Sequence, residues 1–147
     1  MTPSLSIILH VDDDPNDLVL VKRAVQMADS GIRVVAASDG AEAIDYLSGK
    51  GVYGDRDRYP LPSLVLLDLK MPRRNGFEVL SWIRSQPTLK CSPVVILTSS
   101  KHRDDMERAY DKGANSYLIK PVTFDELVEL VKGLVHYWGN LNQTGAT

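Results

Sequence analysis

Short apolar runs alternate with amphipathic stretches along the chain. Ile7-Ile8-Leu9-His10-Val11 reads as a strand that stops abruptly at Asp12-Asp13-Asp14. Pro15 suits the first helical position, Asp14 the N-cap, and Asp17 the electropositive first turn. Leu18, Val21, Val25 and Ala28 follow at helical spacing, with Gly31 as the stop. Arg33 to Ala37 predicts a second strand, and Asp39-Gly40-Ala41-Glu42 opens a short helix carrying Ile44 and Leu47. Leu64-Val65-Leu66-Leu67 is continuously apolar, as a strand covered on both faces must be, and it ends at Asp68. Asn75-Gly76 begins a helix bearing Phe77, Leu80 and Ile83. Val94-Val95-Ile96-Leu97 forms a fourth strand ending at Thr98-Ser99-Ser100, and a charged helix with Met106, Ala109 and Tyr110 runs to Gly113. Ser116 to Ile119 is a fifth strand ending at Lys120-Pro121. Thr123-Phe124-Asp125-Glu126 predicts a capping box, behind which Leu127, Val128, Val131, Leu134, Val135 and Trp138 line one helix face.

Five uninterrupted strand–helix units predict an α/β fold, a doubly wound five-stranded parallel sheet of flavodoxin-like type with strand order 2-1-3-4-5. The expectation is a single domain over residues 1–147, with its core in 5–138 and a flexible tail at 139–147. Gly49 to Pro62, rich in glycine, proline and charge, is expected as a surface loop. With 44% hydrophobic and 24% charged residues, the 147-residue chain can bury one ordinary core. A formal charge of -2 argues against a general nucleic-acid binder. The lone Cys91 excludes an internal disulfide, and with no charged-then-apolar leader or long apolar run the expectation is a cytoplasmic protein away from membranes.

The chemistry lies in where polar residues fall. Four of the five strands end in a polar group at their C-terminal tips: Asp12/Asp13, Asp68, Thr98 and Lys120. Ligands of such sheets bind beyond those tips, where strand order reverses. Singly, each residue has a bland explanation: the acidic triplet as a helix cap, Asp68 as a strand end, Lys120 as a solvated surface group. Jointly, carboxylates on adjacent tips repel and raise one another's pKa, which a hard cation relieves; Mg²⁺, with its oxygen ligands and retained waters, is the expected one. The metal pair is Asp12/Asp13 or Asp13/Asp14. The first is favoured because the apolar run ends at Val11 and Asp14-Pro15 makes a good helix start.

Val11-Asp12-Asp13, Leu67-Asp68-Leu69-Lys70-Met71-Pro72, Asn75-Gly76, Leu97-Thr98-Ser99 and Tyr117-Leu118-Ile119-Lys120-Pro121 resemble the motifs of response regulator receiver domains of two-component systems, in the family's order. The resemblance covers about Leu5 to Val135. The loop around Tyr53 to Pro62 and the Trp138 end of the last helix resemble single-domain regulators associated with bacterial phytochromes. The resemblance implies a stand-alone response regulator that is not an enzyme. Asp68 would take a phosphoryl group from a sensor histidine kinase, in the narrower expectation a bacterial phytochrome. It further implies Asp13, Asp68 and the Lys70 carbonyl as Mg²⁺ ligands, with Asp12 acting through water. Thr98 and Lys120 would bind the phosphoryl oxygens, and Thr98 and Tyr117 would form the switch. Lys120-Pro121 is a candidate cis peptide on the same ground. Leu130 and Tyr137, off the main apolar face of the last helix, are expected to form a homodimer or partner surface.

Two other functions fit less well. A phosphatase of the haloacid dehalogenase type needs a second aspartate two residues after the nucleophile, and Lys70 stands there. A flavodoxin-like cofactor binder needs a Gly- or Ser/Thr-rich phosphate loop after the first strand, where this chain has three acids.

Overall fold

The computed structural model describes residues 5–142. Strands β1 (Ile7–Val11), β2 (Arg33–Ala37), β3 (Leu64–Leu67), β4 (Val94–Thr98) and β5 (Ser116–Ile119) form one parallel sheet in the order β2-β1-β3-β4-β5. Helices α1 (Pro15–Ala28), α2 (Gly40–Ser48), α3 (Gly76–Ser85) and α4 (Arg103–Asp111) connect them, and α5 (Phe124–His136) follows β5. The predicted doubly wound sheet and its strand order are both present.

Strand alternation divides the core in two. Leu9, Val11, Val65, Leu67, Val94 and Ile96 pack with residues of α2 and α3 on one face. Ile8, Leu64, Leu66, Val95 and Leu97 pack with α1 and α5 on the other. Because both faces are dry, the central strands carry no polar side chain until their tips, apart from His10. His10 shares the face of Ile8, is 1% exposed, and neither ring nitrogen is hydrogen-bonded within the protein. Burial, reinforced by the nearby Lys120 ammonium and opposed by Asp68, lowers its pKa to about 4.

The helix termini differ in detail from the sequence expectations. α1 ends at Ala28 with Asp29 as C-cap, two residues before Gly31. At α5, the Thr123 side chain accepts from the Glu126 N–H, which is one half of the expected box. The complete reciprocal box lies at α3, between Asn75 and Glu78. The loop at 49–62 is more ordered than its composition suggests. A 3₁₀ turn spans Gly51–Gly54, Tyr59 packs edge-on against both Tyr46 and Tyr53, and the Arg56 guanidinium donates to the carbonyls of Tyr46, Leu47 and Tyr59. Arg56 thereby satisfies carbonyls left open at the end of α2.

α5 continues into a π turn over Tyr137–Leu141, closed by the Asn142 N–H on the Tyr137 carbonyl at 2.6 Å, where a tail was expected to begin at Gly139. Residues 143–147 of that expected tail lie outside the described residues. The Lys120–Pro121 bond is not the anticipated cis peptide: every described peptide bond is trans, the common form even before proline. Leu130 packs against the α1–α5 core cluster, so of the two residues expected on a free face only Tyr137 is exposed.

One glycine positions the site. The Gly76 N–H donates to the Leu69 carbonyl at 3.0 Å, and a Cβ at Gly76 would land inside contact distance of the Asp68 carbonyl. Only glycine lets α3 begin directly behind the backbone of Asp68. Gly76→Ala is expected to lower the unfolding free energy by about 1–3 kcal/mol in urea titration, the usual cost of overpacking.

His10 yields a pH prediction. Between its unfolded value of 6.5 and its folded value of about 4, the unfolded chain binds a proton that the folded chain does not. Its neutral form therefore supports the fold above pH 6.5, and that support is lost as the pH falls toward 4. Relative to His10→Leu, the wild type is expected to lose about 3 kcal/mol more between pH 7 and pH 4, read from urea unfolding at each pH.

Candidate functional site

The tips of β1, β3, β4 and β5 meet at the C-terminal edge of the sheet. Asp12 follows β1, and its backbone N–H donates to the Ala37 carbonyl at 3.0 Å, which holds the tip against β2. Its side chain is fully buried. Oδ1 accepts from the Asp14 N–H at 2.9 Å, and Oδ2 lies 2.7 Å from the Lys120 ammonium without a well-directed hydrogen bond. Burial raises the Asp12 pKa, and the Lys120 ammonium partly offsets this. Asp68 follows β3, its N–H bonded to the Val11 carbonyl at 3.0 Å. The Leu69 N–H holds its Oδ1 at 2.8 Å, leaving Oδ2 toward Lys120 at 3.2 Å. Asp13 is exposed at the mouth.

One carboxylate oxygen from each of Asp12, Asp13 and Asp68 lies within 4.8 Å of the others. Asp14 is turned away to cap α1, its Oδ1 accepting from the Asn16 N–H. The carboxylate cluster is therefore made by Asp12, Asp13 and Asp68 and not by Asp14. An all-oxygen, acidic donor set in which Asp12 Oδ2 still lacks a directed partner fits a hard divalent cation.

Lys120 follows β5, and its N–H donates to the Thr98 carbonyl at 2.8 Å, so β4 and β5 deliver Thr98 and Lys120 side by side. Its ammonium reaches three carboxylates: Asp12 at 2.7 Å, Asp17 at 2.8 Å and Asp68 at 3.2 Å. Burial alone would lower its pKa, but the close carboxylates of Asp12, Asp17 and Asp68 outweigh that and raise it, so the group stays charged. Thr98 is buried, its hydroxyl accepting a long bond from the Ser100 N–H at 3.4 Å.

Two predicted residues sit at the edge of this arrangement. The Lys70 side chain is exposed, its ammonium 3.5 Å from Asp105. Tyr117 is half-buried on β5, and its hydroxyl donates to the Ser100 carbonyl at 2.9 Å. Burial raises its pKa. Three participants escaped sequence reasoning. Asp17 was assigned only to the helix end, yet it lies four residues before the buried Val21, an acid on the inward face of α1. Asp105 accepts from the Ser100 hydroxyl at 2.5 Å, a bond that lowers its pKa, with Lys70 adding to the effect. His10 lies beneath the cluster, with Nε2 3.8 Å from Asp12.

Comparison with known proteins agrees with this geometry. The model of the response regulator receiver domain matches residues 8–132. The probable methanogenesis regulatory protein FilR2 of Methanothrix harundinacea (strain 6Ac) is 41% identical over 139 residues, covering 94% of this chain and 86% of FilR2. Response regulator Rcp1 of Synechocystis sp. is 35% identical over 132 residues, covering 90% and 88%. The crystal structure of its Mn²⁺-bound form superposes with a TM-score of 0.84, covering 96% of this chain and 99% of that one, at 33% identity. The phosphorylated cyanobacterial phytochrome response regulator RcpA superposes with a TM-score of 0.89 at 35% identity, covering 97% and 99%. With its fold, its strand-tip acids and these matches in agreement, the chain belongs to the response regulator receiver family.

Proposed function

We propose that this protein is a phosphorylation-driven regulator whose phosphoacceptor is Asp68, with a sensor histidine kinase as donor. The observation that supports this most directly is the position of Asp68. It combines a carboxylate pinned by the Leu69 N–H, two further acids at cation-binding distance, and an ammonium at 3.2 Å.

Asp12, Asp13 and Asp68, with the Lys70 backbone carbonyl, would hold Mg²⁺, which when bound neutralises charge on phosphoryl oxygens during in-line transfer. An Asp68 carboxylate oxygen attacks the phosphorus of the kinase's phosphohistidine. The P–N bond breaks, its electron pair returns to the imidazole, and Asp68 becomes an acyl phosphate. The Leu69 N–H orients the carboxylate for this attack. Lys120 then pairs with a phosphoryl oxygen, and the Thr98 hydroxyl donates to another. The group brings about -1.5 to -2 charges into a buried site, so its neighbours must rearrange to meet it. Thr98 and Tyr117 are joined through Ser100, which makes them the switch pair in this reading.

FilR2 and Rcp1 are matched over most of their lengths, which supports the reading as a single-domain regulator acting through protein contacts. The phytochrome as kinase is supported by RcpA, itself named a phytochrome response regulator. A cytoplasmic location accords with that reading; among the described residues no helix is long and apolar enough to cross a membrane. The homodimer we assign to the end of α5, where Tyr137 and Leu141 are exposed.

Incubation with acetyl phosphate and Mg²⁺, followed by intact-mass measurement, is expected to give one phosphate adduct that requires the metal. The adduct should be lost in Asp68→Asn; one that survives would move the acceptor elsewhere. In sedimentation velocity, phosphorylation is expected to shift the wild type toward a dimer, and Tyr137→Ser/Leu141→Ser should remain monomeric. A phosphorylated wild type that stays monomeric at high concentration counts against the dimer.

A further inference from the structure

Three carboxylates touch the Lys120 ammonium, but they are not alike. Asp12 and Asp68 belong to the oxygen cluster, whereas Asp17 does not. Asp17 comes from the first turn of α1, and its Oδ2 accepts a directed 2.8 Å bond from Lys120, shorter than the 3.2 Å bond to Asp68. Its carboxylate is more exposed than the others, at 30% against 0% for Asp12 and 8% for Asp68. A cavity of about 120 Å³ lies between α1 and the start of α5, with Asp17 and Lys120 both in its wall alongside Val21 and Pro121. The ammonium therefore contacts both the acidic cluster and a carboxylate outside it.

Resting on the receiver reading, we propose that Asp17 is a positioning residue for Lys120, giving its ammonium a partner outside the acidic cluster. The argument is electrostatic. A divalent cation among Asp12, Asp13 and Asp68 competes with the ammonium for the same oxygens and repels it at short range. A buried ammonium stripped of its partners is costly. Asp17 removes that cost, because Lys120 retains a bond that no cation in the cluster claims. The opposite holds once an anionic group sits on Asp68. Lys120 must then turn to the new oxygens, Asp17 competes for it, and the Asp17 charge repels the anion. Asp17 thus favours cation loading and disfavours the phosphorylated state, which tunes the site toward turnover rather than storage.

The test uses Mg²⁺ titration by calorimetry, and beryllofluoride binding at saturating Mg²⁺ as a probe for the phosphoryl group. In Asp17→Asn, Mg²⁺ affinity is expected to fall by roughly five-fold and beryllofluoride affinity to rise by a similar factor. Asp17→Glu, which keeps the carboxylate, should restore both toward wild type. In a Lys120→Met background, Asp17→Asn should change Mg²⁺ affinity by less than about two-fold, because the effect travels through the ammonium. Loss of both affinities in Asp17→Asn, no change in either, or an undiminished effect without Lys120 would each overturn the proposal. The last outcome would reduce Asp17 to a general field effect. A wild type that binds neither probe would instead remove the receiver reading on which the proposal rests.

Discussion

Carboxylates at neighbouring strand tips repel, and in this protein a single ammonium holds them in place. Lys120 joins the ends of β1 and β3 to the first turn of α1 at 2.7–3.2 Å. That geometry requires β5 to return beside β4, because the Lys120 N–H is fixed to the Thr98 carbonyl. It also requires β3 to lie between β1 and β4, which the order β2-β1-β3-β4-β5 provides. The parallel strand order, the dry faces of the central strands and the glycine behind Asp68 all serve to bring these side chains to one edge.

The floor of the site strengthens its negative charge. Asp12 is fully buried, and His10 beneath it is held neutral by burial, so it brings no second positive charge. Four acids, Asp12, Asp13, Asp17 and Asp68, are left with one ammonium among them. In a region of low effective dielectric that imbalance attracts a divalent cation strongly. In the proposed phosphotransfer, charge arriving with the phosphoryl group would be met by such a cation and by Lys120.

Much of this was legible in the sequence, because strand tips are marked by an abrupt change from apolar to polar. Asp12, Asp13, Asp68, Thr98 and Lys120 each end an apolar run, and a parallel α/β alternation leaves only a few possible sheets. The residues that escaped notice carry no such mark. Asp17 and Asp105 sit in first turns of helices, where an acid is already accounted for by the helix dipole, so their second partners were hidden. Arg56 lies in a segment whose glycines, proline and charges read as solvent-facing, yet its fork joins two carbonyls at the end of α2 to the Tyr59 carbonyl of the loop. The cis peptide expected at Lys120–Pro121 and the free face expected at Leu130 are both absent. The first came from the family resemblance alone, and the second from a periodicity that does not register how closely α5 packs on α1.

Few hydrogen bonds connect the strand-tip residues to the start of α4. Ser100 is the junction. Its N–H donates to the Thr98 hydroxyl, its carbonyl accepts from Tyr117, and its own hydroxyl donates to Asp105, which in turn faces Lys70. The bond to Thr98 is long, at 3.4 Å, whereas the bond to Asp105 is short, at 2.5 Å, so the loop is held more firmly by α4 than by the site. Any displacement of Thr98 would break the weaker of these contacts first. Tyr117 and the start of α4 are bonded to the same residue, so one serine ties a buried threonine to an aromatic ring and a helix end.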